Sequence, residues 1–141
     1  MAIAKKYTLI FFTLSFISHF SYASAVFFKC DFKNNKEVVL SRDGNDIYYI
    51  FGKKNSSPDI ILKEKKERLD INFEDLSGRY LTNSLTIHNY SYSYRLITSV
   101  DRIADIQEPE TSLTVLKNGE ELTSLRCLKG SEVGALISIN D

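Results

Sequence analysis

Few side chains in this chain of 141 residues have reactive chemistry to offer. Its two cysteines are Cys30 and Cys127, and its two histidines are His19 and His88. Nucleophilic thiols and zinc centres rely on a neighbouring base or on several His and Cys ligands. No such cluster accompanies either cysteine. The six glycines form no phosphate-cradling loop. Carboxylates are the one abundant reactive type, with 18 Asp and Glu, and a suitably placed pair can do acid/base work. Yet Asp101, Asp105, Glu108, Glu110, Glu120 and Glu121 fall where loops and hairpin ends are expected, so solvation accounts for them. The chain reads as a binding protein, with no catalytic residue, cofactor or metal ligand assigned.

Two groupings have the chemistry of recognition. His88, Tyr90, Tyr92 and Tyr94 alternate with Asn89, Ser91, Ser93 and Arg95. On one strand the first set would share a face. A tyrosine joins a large apolar body to a hydroxyl that seeks a partner. The row is therefore either a core face with hydroxyls at its rim or an exposed platform for a protein or sugar. The second grouping, Ser77-Gly78-Arg79-Tyr80, puts a hydroxyl, a turn, a guanidinium and an aromatic ring within four residues.

The N-terminus sets the compartment in which these groups would act. Lys5 and Lys6 precede an apolar run from Tyr7 to Phe20, and Ala23-Ser24-Ala25 gives the small-x-small pattern of a signal peptidase site. The run is about 14 residues, short of the ~20 a permanent span needs. The expectation is a cleaved leader over residues 1–25, or cleavage after Ala23, and export to the periplasm. Ala25 is followed by Val26, with no cysteine there to carry a lipid anchor.

Export makes a Cys30–Cys127 disulfide the expected state of the two thiols. Losing Lys5 and Lys6 leaves 16 basic against 18 acidic residues, which disfavours nucleic-acid binding. No amphipathic basic helix is present to hold a membrane surface.

The elements that must position these groups are strands. Val26–Phe32, Val38–Ser41, Ile47–Phe51 and Ile60–Leu62 are short apolar runs separated by turn residues. Leu85–Val100 reads as one long strand. Leu113–Leu116 faces Leu122–Leu128 across Asn118-Gly119, a strong hairpin signal. Val133–Ile139 reads as a last strand. About eight strands rich in β-branched and aromatic residues predict an all-β antiparallel sandwich or barrel over residues 26–141. One short helix is allowed, capped by Ser99 and running through Val100, Ile103 and Ile106 to Pro109, although a strand and loop fit the same residues. The run Lys63–Arg68 is read as a solvated turn or a partner-binding patch.

Phe28-Lys29-Cys30-Asp31 resembles the aromatic-x-Cys-Asp opening of bacterial inhibitors of c-type lysozyme. Ser77-Gly78-Arg79-Tyr80 is similar to the end of their inhibitory loop, Ser-x-Ser-Gly-x-Arg/Lys-Tyr. Here Asp75 stands in place of the first serine, and one residue is missing between Gly78 and Arg79. The chain as a whole resembles the periplasmic immunity proteins that protect producers of pesticin-type bacteriocins. That likeness lies in the 141-residue length, the exported single domain and the Asn/Lys/Ile-rich composition. Since pesticin is a muramidase, the resemblance implies a protein partner, a peptidoglycan-cleaving toxin or a lysozyme-like enzyme. It implies Ser77, Arg79 and Tyr80 as contact residues; Tyr90, Tyr92 and Tyr94 are a second candidate surface on their alternation alone. A carbohydrate-binding or structural envelope subunit is the reading from a different class.

Overall fold

A computed structural model describes residues 24–141. The expected leader lies outside the described residues except for Ser24 and Ala25. The strands are β1 (Ala25–Phe32), β2 (Lys36–Asp43), β3 (Asp46–Lys53), β4 (Ile60–Lys65), β5 (Asp70–Ser77), β6 (Tyr80–Asn89), β7 (Tyr92–Asp101), β8 (Pro109–Lys117), β9 (Glu120–Arg126) and β10 (Val133–Gly134). They form two five-stranded antiparallel sheets, ordered β10-β1-β2-β3-β4 and β5-β6-β7-β8-β9. Each sheet is largely a meander, and the short strand β10 returns to pair with β1.

The two inner faces share one core. Phe28, Val38, Leu40, Ile47 and Tyr49 come from the first sheet, and Leu85, Ile87, Tyr94, Leu96 and Leu113 from the second. Side-chain alternation along the strands of each sheet places these residues inward. Each such side chain contributes about 1.5–3 kcal/mol on burial. Tyr49 and Tyr94 meet between the sheets with ring centroids 5.2 Å apart. Burial pushes the Tyr49 phenol far above its ordinary value, and its hydroxyl has no hydrogen-bond partner among the described residues.

Cys30 of β1 is bonded to Cys127, just past β9, with Cα atoms 5.7 Å apart. The bridge ties the two sheets together. Closing a loop of about 98 residues restricts the unfolded chain by roughly 4–5 kcal/mol in the entropy model.

Several elements differ from the sequence expectation. The Leu85–Val100 stretch is two strands, because the chain reverses at Tyr90-Ser91, where Tyr90 takes φ +55°. No helix starts at Ser99. Ser99 and Val100 pair with Glu110 and Pro109, which carries β7 on to Asp101. Val133–Ile139 yields only the two residues of β10, and Leu136–Asn140 then forms a 3-10 turn. That turn buries Leu136 and Ile139, three residues apart and so on the same side. In the charged run, Lys63–Lys65 ends β4 and Lys66–Arg68 makes a 3-10 turn. Asp46 on β3 grips Lys63 and Lys65 at 3.3 and 2.5 Å. Strand β5, not anticipated as an element, is an edge with a bulge between Asn72 and Asp75, a common way to blunt an edge against unwanted pairing.

Candidate functional site

The second sheet has two ends of different construction. At one end lie the β5–β6 turn and the loop 102–108. At the other lie the turns at Tyr90-Ser91 and Asn118-Gly119, joined by a hydrogen bond from Asn118 N to Ser91 O of 2.7 Å.

The first end holds the Ser77–Tyr80 sequence. Ser77 pairs with Tyr80, so Gly78 and Arg79 are the two central residues of a tight hairpin turn. Gly78 has φ +59°, and the first central position of a type II′ turn favours glycine for that reason. The turn is stitched to its neighbour by Arg102 N donating to Arg79 O at 2.8 Å. Arg79 lies alongside Asp101, its Nε donating to Oδ1 at 3.0 Å and its Nη2 to Oδ2. Its guanidinium also stands 5.6 Å from the centre of the Tyr80 ring.

The sequence leaves Arg79 free to meet a partner carboxylate, whereas the fold gives it one of its own. Hydrogen bonding to Arg79 holds the Asp101 carboxyl below its ordinary 3.8, and the same bond raises Arg79. The pair fixes the arginine rather than leaving it as a mobile probe.

Around this pair are exposed apolar side chains that the sequence reading left out of the site: Leu76 at 60 %, Ile103 at 70 % and Ile106 at 74 % exposure. The spacing of Ile103 and Ile106 reads as one side of a helix, but without a helix both isoleucines face solvent. Tyr80 is 45 % exposed beside them. Ser77 is exposed too and makes no side-chain hydrogen bond among the described residues. Asp105, Glu108 and Glu110 give this end an acidic surround, with Lys129 on Glu108 at 2.7 Å.

The tyrosine row does not exist as one face. His88 is on the outer face of β6, Tyr90 is at the turn tip and fully exposed, and Tyr92 and Tyr94 point inward from β7. Tyr94 is a core residue, and Tyr92 packs against the core with Lys117 Nζ 5.4 Å from its ring centre. The turn breaks the alternation by spending Tyr90 and Ser91 on the reversal.

His88 gains partners the sequence does not reveal. Ser93, its cross-strand neighbour, has Oγ 2.9 Å from Nδ1, and Asp70 of β5 has Oδ2 2.6 Å from Nε2. The order acid–imidazole–hydroxyl is that of a nucleophilic triad. The His88 and Asp70 side chains are 48 % and 75 % exposed, however, and water competes with every contact. The adjacent groove reaches Asp70 and Arg95 but neither His88 nor Ser93. The three residues act as a strap from the start of β5 to the β6–β7 hairpin.

Among the described residues, no three His, Cys, Asp or Glu side chains converge to hold a metal ion, and no helix is long and apolar enough to cross a membrane. No family model, curated protein or solved structure matches this chain.

Proposed function

We infer that this protein is a periplasmic, non-enzymatic immunity protein that binds and blocks a peptidoglycan-cleaving bacteriocin. The observation that carries the reading is the loop end of the second sheet. There a fixed Arg79–Asp101 pair, Tyr80, Ile103 and Ile106 project from a disulfide-tied scaffold. Arginine and tyrosine are enriched among residues that dominate binding energy. Exposed apolar groups on a loop anchored by backbone N–H hydrogen bonds at Arg102 and Ile103 bind with a reduced ordering cost. The likeness of Ser77–Tyr80 to the inhibitory loop of lysozyme inhibitors adds to this, as does the likeness of the whole chain to immunity proteins of the pesticin type.

A muramidase cleft carries carboxylates and an elongated sugar groove. Arg79 would lie across such a cleft with Asp101 as its internal counter-ion, while Ile103 and Ile106 would pack beside it. An inhibitor of host lysozyme would use the same surface, and the choice of enzyme in the assay separates the two.

Sensitive cells expressing the full chain should survive challenge with a muramidase bacteriocin. Cells expressing the chain without residues 1–25 should not, because that form stays in the reducing cytoplasm away from its target. Equal protection by both forms, or none by the full chain, would contradict the reading.

A further inference from the structure

The inner face of the second sheet carries a polar line close to its buried centre. Asn83 on β6, Thr98 on β7 and Thr111 on β8 are consecutive register partners and form a polar rung across three strands. Their inward-pointing neighbours include Leu85, Leu96 and Leu113, all essentially buried. A polar rung at core positions breaks the rule that alternation buries apolar groups, and such breaks tend to mark functional sites.

The rung is not fully used by the protein. Thr98 Oγ1 and Thr111 Oγ1 are 2.7 Å apart, so one hydroxyl donates to the other and one hydroxyl hydrogen remains. Asn83 Oδ1 accepts from Glu74 N at 2.8 Å. That fixes the amide orientation and leaves the Nδ2 hydrogens without a partner among the described residues. All three residues line one cavity.

What they face is a cavity of about 380 Å³ at the mouth between the sheets, walled by Phe28, Pro109 and Leu136. Its volume falls within the roughly 300–1,000 Å³ typical of small-ligand sites. The rim carries Glu132 and the Glu108–Lys129 pair, a net negative charge. The floor thus wants an acceptor, the walls want apolar groups, and the rim disfavours an anion while accepting hydrogen bonds from hydroxyls.

We propose that the Asn83–Thr98–Thr111 rung is the floor of a binding site for a neutral N-acetylated sugar. The acetamido carbonyl accepts from Asn83 Nδ2 and a threonine hydroxyl. Its methyl lies against Pro109 and Leu136, and the sugar hydroxyls donate to Glu108 and Glu132. The cavity shares Glu108 and Lys129 with the surround of the Arg79 end, but its floor residues are distinct from the Arg79 turn, and sugar binding there does not depend on toxin inhibition.

The test is a nuclear magnetic resonance titration of the isotope-labelled protein with N-acetylglucosamine, with glucose and glucosamine as controls. Saturable shifts are expected at Asn83, Thr98 and Thr111 with N-acetylglucosamine alone. Thr98→Val removes a hydroxyl at equal size and should weaken binding at least tenfold. Asn83→Asp keeps the acceptor for Glu74 but removes the donors, and it should do the same if Thr98→Val does not fold. The absence of saturable shifts up to the solubility limit of the sugar, or equal shifts with glucose, would overturn the assignment.

Discussion

The two ends of the second sheet are built from the same meander, and they differ in what their connections are free to do. At the Tyr90 end both reversals are tight two-residue turns, joined to each other through Asn118 N. His88, Tyr92 and Tyr94 are occupied there with strap and core contacts. At the Arg79 end one reversal is tight, but residues 102–108 form a longer loop that exposes Ile103 and Ile106 beside a fixed ion pair. Exposed apolar groups on a supported loop are the usual mark of an interaction site. The end richer in tyrosine is thus the structural one, and the plainer end is the candidate interface.

The largest effect should come from the link that holds the sheets in place. Cys30→Ser and Cys127→Ser should each lower stability by about 2–5 kcal/mol, with the double variant no worse than either, as read by denaturant unfolding. Free thiols in the denatured native protein would refute the pairing.

At the loop end, Arg79→Ala should weaken binding to the muramidase proposed as the partner by about 2 kcal/mol or more. Its melting temperature should barely move, since exposed ion pairs contribute little to stability. In the core, Tyr49→Phe removes a buried hydroxyl that lacks a partner and should raise stability by about 1 kcal/mol. At the other end, Tyr90→Ser should change neither stability nor binding beyond about 0.5 kcal/mol.

The acid response provides a further contrast. The Asp101 carboxyl is held below 3.8 by hydrogen bonding to Arg79, so its folded value is lower than its unfolded one. Its contribution is complete above the unfolded value and disappears as pH falls through the depressed folded value. The Arg79 side-chain resonances should therefore leave their paired position with a midpoint below the ordinary 3.8. Asp101→Asn should abolish that step.

Much of the fold was legible in the sequence because alternation and turn chemistry are local. Asn118-Gly119 made its hairpin, and the apolar runs of β1 to β3 became strands. The disulfide followed from two lone cysteines in an expected exported chain. The Tyr90 reversal was hidden because Asn89-Tyr90-Ser91 lacks glycine and proline and the alternation in the sequence runs straight through it. Strand β5 was obscured by polar residues, which an exposed edge tolerates. Of the candidate site, Arg79 and Tyr80 were visible as residue types. The Asp101 partner, 22 positions away, and the outward turn of Ile103 and Ile106 depend on strand register, which a local reading does not fix.

The most direct test of the central claim is calorimetric binding of a muramidase bacteriocin to two variants, one from each end. Ile103→Asp combined with Ile106→Asp should abolish or strongly weaken binding while leaving the melting temperature unchanged, and Tyr90→Ser should bind like the native protein. Native affinity in the isoleucine variant, with loss in Tyr90→Ser, would place the interface at the opposite end and contradict the account.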